Sequence, residues 1–189
     1  MPVSVEELRA ANQEIDRLVA EGLNDFFYSL NLSNPGQSKA EVLGTVPALT
    51  QEWGDVSAAT AQEWYDETRA ERKIARSFRA RMANPVPEEI VIRRLRYGIG
   101  HLFTDAPEGL LPWLLDAMQE YVQQPGRDTI TQSTARDPKA VGWRRVTSPG
   151  ACDFCVMLAA KGVVRRKRSE AFKAHGNCSC VAAPEWVLG

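Results

Sequence analysis

The residues best suited to chemistry lie in two short stretches near the C-terminal end of this 189-residue chain. Cys152 and Cys155 form a C-x-x-C pair, and nineteen residues separate Cys155 from a second group made of His175, Cys178 and Cys180. Structural Zn²⁺ is held by four nitrogen and sulfur ligands in a tetrahedron, usually contributed as two short-range pairs. This spacing is within the usual range for a zinc ribbon or knuckle. The sequence therefore predicts a structural zinc site.

Five candidate ligands compete for four positions around such an ion. In one interpretation Cys152, Cys155 and His175 take three positions, and either Cys178 or Cys180 takes the fourth. Those last two cysteines are two residues apart, so in an extended strand they face the same side. In another interpretation the four sulfurs bind the ion, and His175 lies outside the ligand set.

Two other interpretations of the cysteines stay open. The thiols could be buried structural groups or pair as disulfides, although disulfides are rare where no secretion signal exists. The N-terminus, Ser4-Val5-Glu6-Glu7, has no basic region before an apolar one. The C-x-x-C pair could also be a redox motif, but such motifs usually open a helix in a βαβ setting, and no such setting is expected before Cys152.

The net charge of −1 conceals an asymmetry along the chain. Residues 1–135 carry 13 Lys and Arg against 20 Asp and Glu, a net charge of −7, whereas residues 136–189 carry 10 against 4, a net charge of +6. All four cysteines lie in the second segment. We therefore expect a helical body over residues 1–135 and a basic Cys/His metal-binding lobe over residues 136–189.

A basic cluster lies between the two halves of the predicted site. It consists of Lys161, Arg165, Arg166, Lys167, Arg168 and Lys173. One interpretation is nonspecific contact with nucleic acid phosphates through Arg165, Arg166, Lys167 and Arg168. The other is a solubilising loop, or one that complements the acidic segment of a neighbouring subunit. Few aromatic residues are interleaved, so base stacking is not expected.

The apolar spacing before residue 136 is helical. Ser4 and Glu7 form a capping box, and the first helix is expected to bury a stripe made of Leu8, Ala11, Ile15, Leu18, Gly22, Phe26 and Leu30. The next helix is expected to be capped by Ser38 and to be kinked or restarted at Pro47 and Gly54. Further helices are expected over residues 56–81, 88–103 and 110–123. Pro125-Gly126 is expected to close the helical region. The pattern predicts a mainly α fold, in which an elongated helical body precedes a small α+β lobe resembling a zinc ribbon or knuckle.

Composition and motifs exclude several functional classes. A hydrophobic content of 44% and a charged content of 25% are those of a globular chain, and no run approaches the roughly 20 apolar residues of a membrane helix. The sequence has no Ser/His/Asp set, Gly-rich phosphate loop or H-E-x-x-H string, and His101 in its apolar context is expected to be a packed side chain. We therefore expect a protein that is not an enzyme and that works in a cytosol or inside an assembled particle.

A series of motifs follows in order from residue 127. These are Arg127-Asp128-Thr129, Arg136-Asp137-Pro138, Gly142-Trp143-Arg144-Arg145-Val146, Cys152-Asp153-Phe154-Cys155 and His175-Gly176-Asn177-Cys178-Ser179-Cys180. In this order they resemble the Mu F-like minor capsid, or head morphogenesis, proteins of tailed bacteriophages, particularly those of actinobacteria. Trp53-Gly54-Asp55 and Glu63-Trp64-Tyr65-Asp66 are similar to the helical signature of the same family. Many members have proline after the histidine and arginine between the last cysteines, where this chain has Gly176 and Ser179.

The resemblance implies a structural role in the virion. Such proteins enter the phage head in few copies after synthesis in the host cytoplasm, associate with the portal or the capsid interior, and act in head assembly or DNA delivery. The implied partners are portal or major capsid subunits in an oligomeric assembly, and packaged double-stranded DNA. The resemblance also implies a metal-stabilised module on Cys152, Cys155, His175, Cys178 and Cys180.

Overall fold

The computed structural model describes residues 4–165, 171–176 and 178–187. In this part of the chain five α-helices precede or interrupt three short strands: α1 Val5–Ser29, α2 Pro35–Glu71, α3 Glu88–Gly98, α4 Leu110–Arg136, β1 Ala140–Val146, α5 Asp153–Ala160, β2 Val164–Arg165 and β3 Val181–Trp186. Two 3₁₀ turns, Ile99–Phe103 and Pro107–Gly109, connect α3 to α4. The predicted fold class is confirmed, because the fold is mainly α and a small α+β lobe with the Cys/His cluster lies near the C-terminus.

The first helix begins as predicted but buries a different stripe. The side chain of Ser4 accepts the N–H of Glu7, and the Glu7 carboxylate accepts the N–H of Ser4, which completes the capping box. The residues that α1 buries are Leu8, Ile15, Val19, Leu23 and Phe27. The prediction was wrong at Leu18, which is 36% exposed, and at Gly22, whereas the predicted Leu30 is buried just after the helix. From Ile15 to Phe27 the buried residues follow in steps of four, which keeps them on one side of the helix.

The second helix is continuous, which corrects two predictions. It begins at Pro35 and is capped by Asn34, whose side chain accepts the N–H of Gln37, whereas Ser38 is buried inside the helix. Pro47 neither ends nor restarts it, so α2 runs for 37 residues, or about 55 Å. Proline removes one helical hydrogen bond, and here the packing of α2 against neighbouring helices outweighs that loss.

The helix end predicted at Pro125-Gly126 is also wrong, because α2 and α4 pack closely there. A β-carbon placed on Gly126 would lie 2.5 Å from the Oγ of Ser57, and one on Gly54 would lie 3.3 Å from the Cγ of Pro125. Pro125 and Gly126 are therefore residues of close helix contact rather than of a turn, and α4 continues past them to Arg136.

The segment after α2 is irregular and begins with turns, although the sequence predicted helix to Arg81. Helix α2 ends at Glu71, and the segment that follows is held by side chains of the flanking helices instead of by a helical ladder. Asp66 accepts the N–H of Ala80, and Thr129 accepts the N–H of Ala83. Polar side chains on two helices thus satisfy backbone groups that a strand partner would otherwise satisfy.

The three strands form one antiparallel sheet in the order β2-β1-β3. Its inner face shares a hydrophobic core with α1, α2 and α4, in which the buried aromatic residues are Trp64, Tyr65, Trp143, Phe172 and Trp186. A second core lies within the helical body between α1, α2, α3 and α4. The chain changes from helix to strand just after residue 136, and the division into units at that residue stays a prediction.

Two further expectations are settled by the helical part. His101, expected to be packed, is exposed in the 3₁₀ turn Ile99–Phe103. In the described part of the chain, every helix is too short or too polar to cross a membrane.

Candidate metal centre

Two elements of the lobe bring the predicted ligands together. Cys152 is the N-terminal cap of α5, and Cys155 lies three residues later in its first turn. His175 precedes the tight turn at Gly176, and Cys178 and Cys180 come immediately before β3. Because α5 follows β1 and the second group leads into β3, the pairing of β1 with β3 places the two groups at the same end of the sheet.

The side chains of all five candidates form one cluster. The Sγ of Cys152 lies 2.9 Å from the Nε2 of His175, and the Sγ of Cys155 lies 3.8 Å from the same nitrogen. On its other side, the Sγ of Cys155 lies 3.6 Å from the Sγ of Cys178. The ligand atoms of Cys152, Cys155 and His175 lie within 4.8 Å of one another, and so do those of Cys155, Cys178 and Cys180. Cys155 is thus common to both groups.

Two of these three distances fit a tetrahedral zinc ion. With Zn–S near 2.3 Å and Zn–N near 2.0 Å, two ligand atoms of a tetrahedron are separated by about 3.6–3.8 Å. The separations of Cys155 from His175 and from Cys178 match this edge length, whereas Cys152 and His175 are closer, at hydrogen-bond distance. The four cysteines are free thiols. The cluster could therefore bind a metal ion, and its sulfur and imidazole donors are the types that zinc prefers.

Electrostatic effects shift the pKa values of the two exposed candidate ligands, Cys152 and His175, in opposite directions. The pKa of Cys152 is lowered, first by a hydrogen bond from the backbone N–H of Cys155 and then by His175. The pKa of His175 is raised, first by the backbone carbonyl of Gly176 and then by Cys152. A thiolate at the start of a helix is also favoured by the helix dipole. Deprotonated sulfur is the form that binds metal.

A hydrogen bond between the buried thiols of Cys178 and Cys180 shifts their pKa values in opposite directions. A hydrogen bond from Cys178 lowers the pKa of Cys180 to about 4, and the same bond raises the pKa of Cys178. Burial is the largest cause that raises the pKa of Cys155. A bound dication would favour the release of the protons from all of these thiols.

Two buried arginines lie beside the cluster. Neither is among the site residues that the sequence predicted. Arg145 on β1 lies with its Nη1 3.6 Å from the Sγ of Cys155, and its Nη2 donates to the carbonyl of Lys173. Arg127 on α4 donates to the carbonyl of Cys178. Burial is the main cause that lowers the pKa of Arg127, and Cys178 raises it. On β1, Arg145 alternates with the exposed Arg144 and therefore faces inward. This alternation was the signal in the sequence that could have indicated a buried arginine.

The turn after His175 contains Gly176, where many members of the family that this chain resembles have proline. A β-carbon on Gly176 would lie 1.7 Å from the Oδ1 of Asp116 on α4. A side chain at this position would therefore require the carboxylate of Asp116, which is 41% exposed, to move aside. Glycine allows the His175 loop to approach α4 without that movement.

The basic cluster is only partly described. Lys161 and Lys173 are exposed, and the backbone of Arg165 belongs to β2, where it pairs with Gly142. Arg166, Lys167 and Arg168, and the side chain of Arg165, lie outside the described residues. Their predicted contact with nucleic acid stays a prediction.

One comparison with known proteins returns a match. The family model described as VG15 protein, a viral protein family, matches residues 2–187, which is almost the whole chain. No curated protein and no solved structure matches the sequence.

Proposed function

The chain belongs to the VG15 protein family, and on this premise we propose that it is a structural minor capsid or head morphogenesis protein of a tailed phage, of the Mu F-like type. The observation that carries the proposal is the match to a viral family over residues 2–187. In this role the protein is located in the phage head, contacts portal or major capsid subunits and is not an enzyme.

The cluster in the lobe supports a structural rather than a catalytic role. We propose that zinc is the resident ion and that Cys155 is one of its four ligands, because both ligand groups contain this residue. A fully ligated tetrahedral zinc ion has no open position for water or substrate. The ion would supply folding free energy on the order of 10 kcal/mol, and it would fasten α5 to the segment that leads into β3.

The exposed surface of α5 supports docking on another virion subunit. Phe154, Val156 and Met157 are exposed by 43%, 52% and 51%, and Cys155 is the one buried residue of this helix. Contiguous exposed apolar side chains mark interaction sites more often than ordinary surface. The metal centre would hold this short helix in place, so that its apolar residues are presented as a fixed surface to the portal or capsid.

Fractionation of phage particles tests the proposed location. A phage that lacks the gene is complemented with the wild-type chain, and proheads, mature heads and tails are purified separately. The chain should be present in heads in a fixed copy number as measured by quantitative mass spectrometry, and absent from tails. Purified heads without the chain, at wild-type expression levels, would exclude this role.

Binding to packaged DNA is a second candidate function, favoured by the net charge of +6 over residues 136–189. Phosphate contacts release counterions, so the affinity should fall steeply with salt. Replacement of Arg165, Arg166, Lys167 and Arg168 by alanine should flatten that dependence, whereas replacement of Arg93 and Arg96 on α3 should not. Equal salt slopes for both variants would reject the basic cluster as the contact.

A further inference from the structure

We infer that Arg127 and Arg145 are positioning residues of the metal centre, whose guanidinium groups balance the negative charge of the metal–thiolate complex and hold the loop that carries its second group of ligands. The inference rests on the metal centre of the proposed function. Neither arginine is a ligand, and the proposed role of their positive charge is to balance the charge of the metal–thiolate complex.

The first observation is that both positive charges are buried. Arg127 is 5% exposed and Arg145 is 6% exposed. Among the described residues neither forms an ion pair with a carboxylate, in contrast to the buried Arg69, whose Nε lies 2.9 Å from the Oδ2 of Asp137. An uncompensated buried charge is strongly unfavourable, so these two guanidinium groups require an anion close by.

The cluster is where that anion arises. Zn²⁺ with three thiolates and one imidazole carries a net charge of −1, and with four thiolates a net charge of −2. The Nη1 of Arg145 already lies 3.6 Å from the Sγ of Cys155. The Nη1 of Arg127 is buried with no hydrogen-bond partner. The small cavity beside this arginine is lined by Cys178 and Cys180 and also by Asp16, whose negative charge acts on Arg127 as well.

The same two side chains fix the backbone on both sides of His175. Arg145 donates to the carbonyl of Lys173, and Arg127 donates to the carbonyl of Cys178. The ring of Phe172 lies against both, with its centroid 3.7 Å from the Cζ of Arg145 and 5.5 Å from that of Arg127. The loop that carries His175 and Cys178 is therefore held at two of its carbonyls.

This arrangement predicts opposite effects in the two states of the protein. With the ion bound, the loss of a guanidinium leaves the anionic complex uncompensated and the loop less ordered. Without the ion, the same change removes a buried charge that has no carboxylate at ion-pair distance among the described residues. A purely structural arginine would instead contribute similarly to stability in both states.

The experiment compares Arg145→Met with Arg144→Met in the full-length chain under reducing conditions. Arg144 is the neighbour on the outer face of β1, where it pairs with Glu185. The Zn²⁺ affinity is measured by competition with a chromophoric chelator, and the free energy of unfolding is measured in urea with zinc and with a chelator. Arg145→Met should weaken Zn²⁺ binding by about 10- to 100-fold, and Arg144→Met should leave it within about twofold of wild type. Arg127→Met is paired in the same way with the exposed Arg136→Met.

The effect on unfolding completes the test. The chelated Arg145→Met protein should be as stable as chelated wild type or more stable, and Arg145→Lys, which keeps the charge, should recover part of the lost affinity. Equal Zn²⁺ affinity for Arg145→Met and Arg144→Met would overturn the inference, as would an equal loss of stability with and without zinc. A wild-type chain that binds no zinc would instead overturn the proposed metal centre itself.

Discussion

The indole Nε1 of Trp186 donates a hydrogen bond of 2.8 Å to the Oδ2 of Asp137, across the junction between β3 and the end of α4. The same carboxylate accepts from the Nε of Arg69 at 2.9 Å and from the hydroxyl of Tyr65 at 3.2 Å, both on α2. Asp137 is completely buried. This one carboxylate therefore ties the last strand of the lobe to the longest helix of the body.

We predict that Asp137→Asn strongly destabilises the protein. The amide removes the negative charge that compensates the buried Arg69, and breaking a buried ion pair from one side costs about 3–5 kcal/mol. Urea unfolding followed by tryptophan fluorescence measures the change in the free energy of unfolding. Asp25→Asn, at an exposed position of α1, should change it by less than about 0.5 kcal/mol. Similar stabilities for the two variants would show that the Asp137 contacts are not needed.

The stabilisation by Asp137 should depend on pH in one direction. Burial alone would raise the pKa of this carboxyl, but hydrogen bonds from Arg69, the N–H of Lys139 and Trp186 outweigh it and lower the pKa. A lowered folded-state pKa means that the contribution is complete above the unfolded-state value of about 3.9 and is lost as the pH falls through the folded-state value.

The stability difference between wild type and Asp137→Asn measures this contribution directly. It should be constant from pH 7 to about pH 5 and should shrink below about pH 4. Loss of metal in acid affects both proteins alike, so it cancels in the difference. A difference that grows as the pH falls would contradict the sign of the pKa shift.

The sequence predicted which helices form and which Cys and His residues cluster better than it predicted where the helices begin and end. The capping box at Ser4 and the Cys/His cluster depend on residues close in sequence, and both are present. Helix α2 does not restart at Pro47 and α4 does not end at Pro125, because contacts between α2 and α4 outweigh the local preference of proline. Those contacts join residues about 70 positions apart, such as Gly54 and Pro125, and single-sequence periodicity does not contain them.

The arginines around the cluster were missed for a similar reason. In the sequence, Arg127 follows the predicted end of the helical region, and Arg145 is one of a basic pair. Only the pairing of β1 with β3 and the packing of α4 bring both against Phe172. Residue type and spacing predicted the candidate ligands, whereas the side chains around them required the tertiary structure.

Close packing at Gly126 predicts a second stability effect. A β-carbon there would lie 2.5 Å from the Oγ and 2.9 Å from the carbonyl oxygen of Ser57, so Gly126→Ala should separate α2 from α4 and cost about 1–3 kcal/mol. Gly44→Ala is the matched control, because the position is helical and no atom lies within 4 Å of the added carbon. It should stabilise the protein by about 0.5–1 kcal/mol, through helix propensity alone. Thermal unfolding should therefore shift in opposite directions for the two variants.

The position of Cys155 predicts the outcome of single ligand replacements. Because both ligand groups include it, Cys155→Ser should abolish tight binding of Co²⁺ and the thiolate-to-metal charge-transfer absorption. Cys178→Ser and Cys180→Ser should differ from each other when one of these cysteines is the fourth ligand, and both should lose absorption when all four sulfurs bind. Tight four-coordinate binding by Cys155→Ser would place the ion elsewhere.

The exposed face of α5 predicts a separation of folding from assembly. Phe154→Ser with Met157→Ser removes two large apolar side chains that are about half exposed, so the free energy of unfolding and the zinc content should be nearly unchanged. Incorporation into heads should fall several-fold, since apolar anchors contribute most of the energy of an interface. Tyr28→Ser with Tyr97→Ser, which alters two highly exposed side chains of the helical body, is the control in the same complementation assay. Equal incorporation of both double variants, at equal expression, would mean that α5 is not the surface by which the protein enters the head.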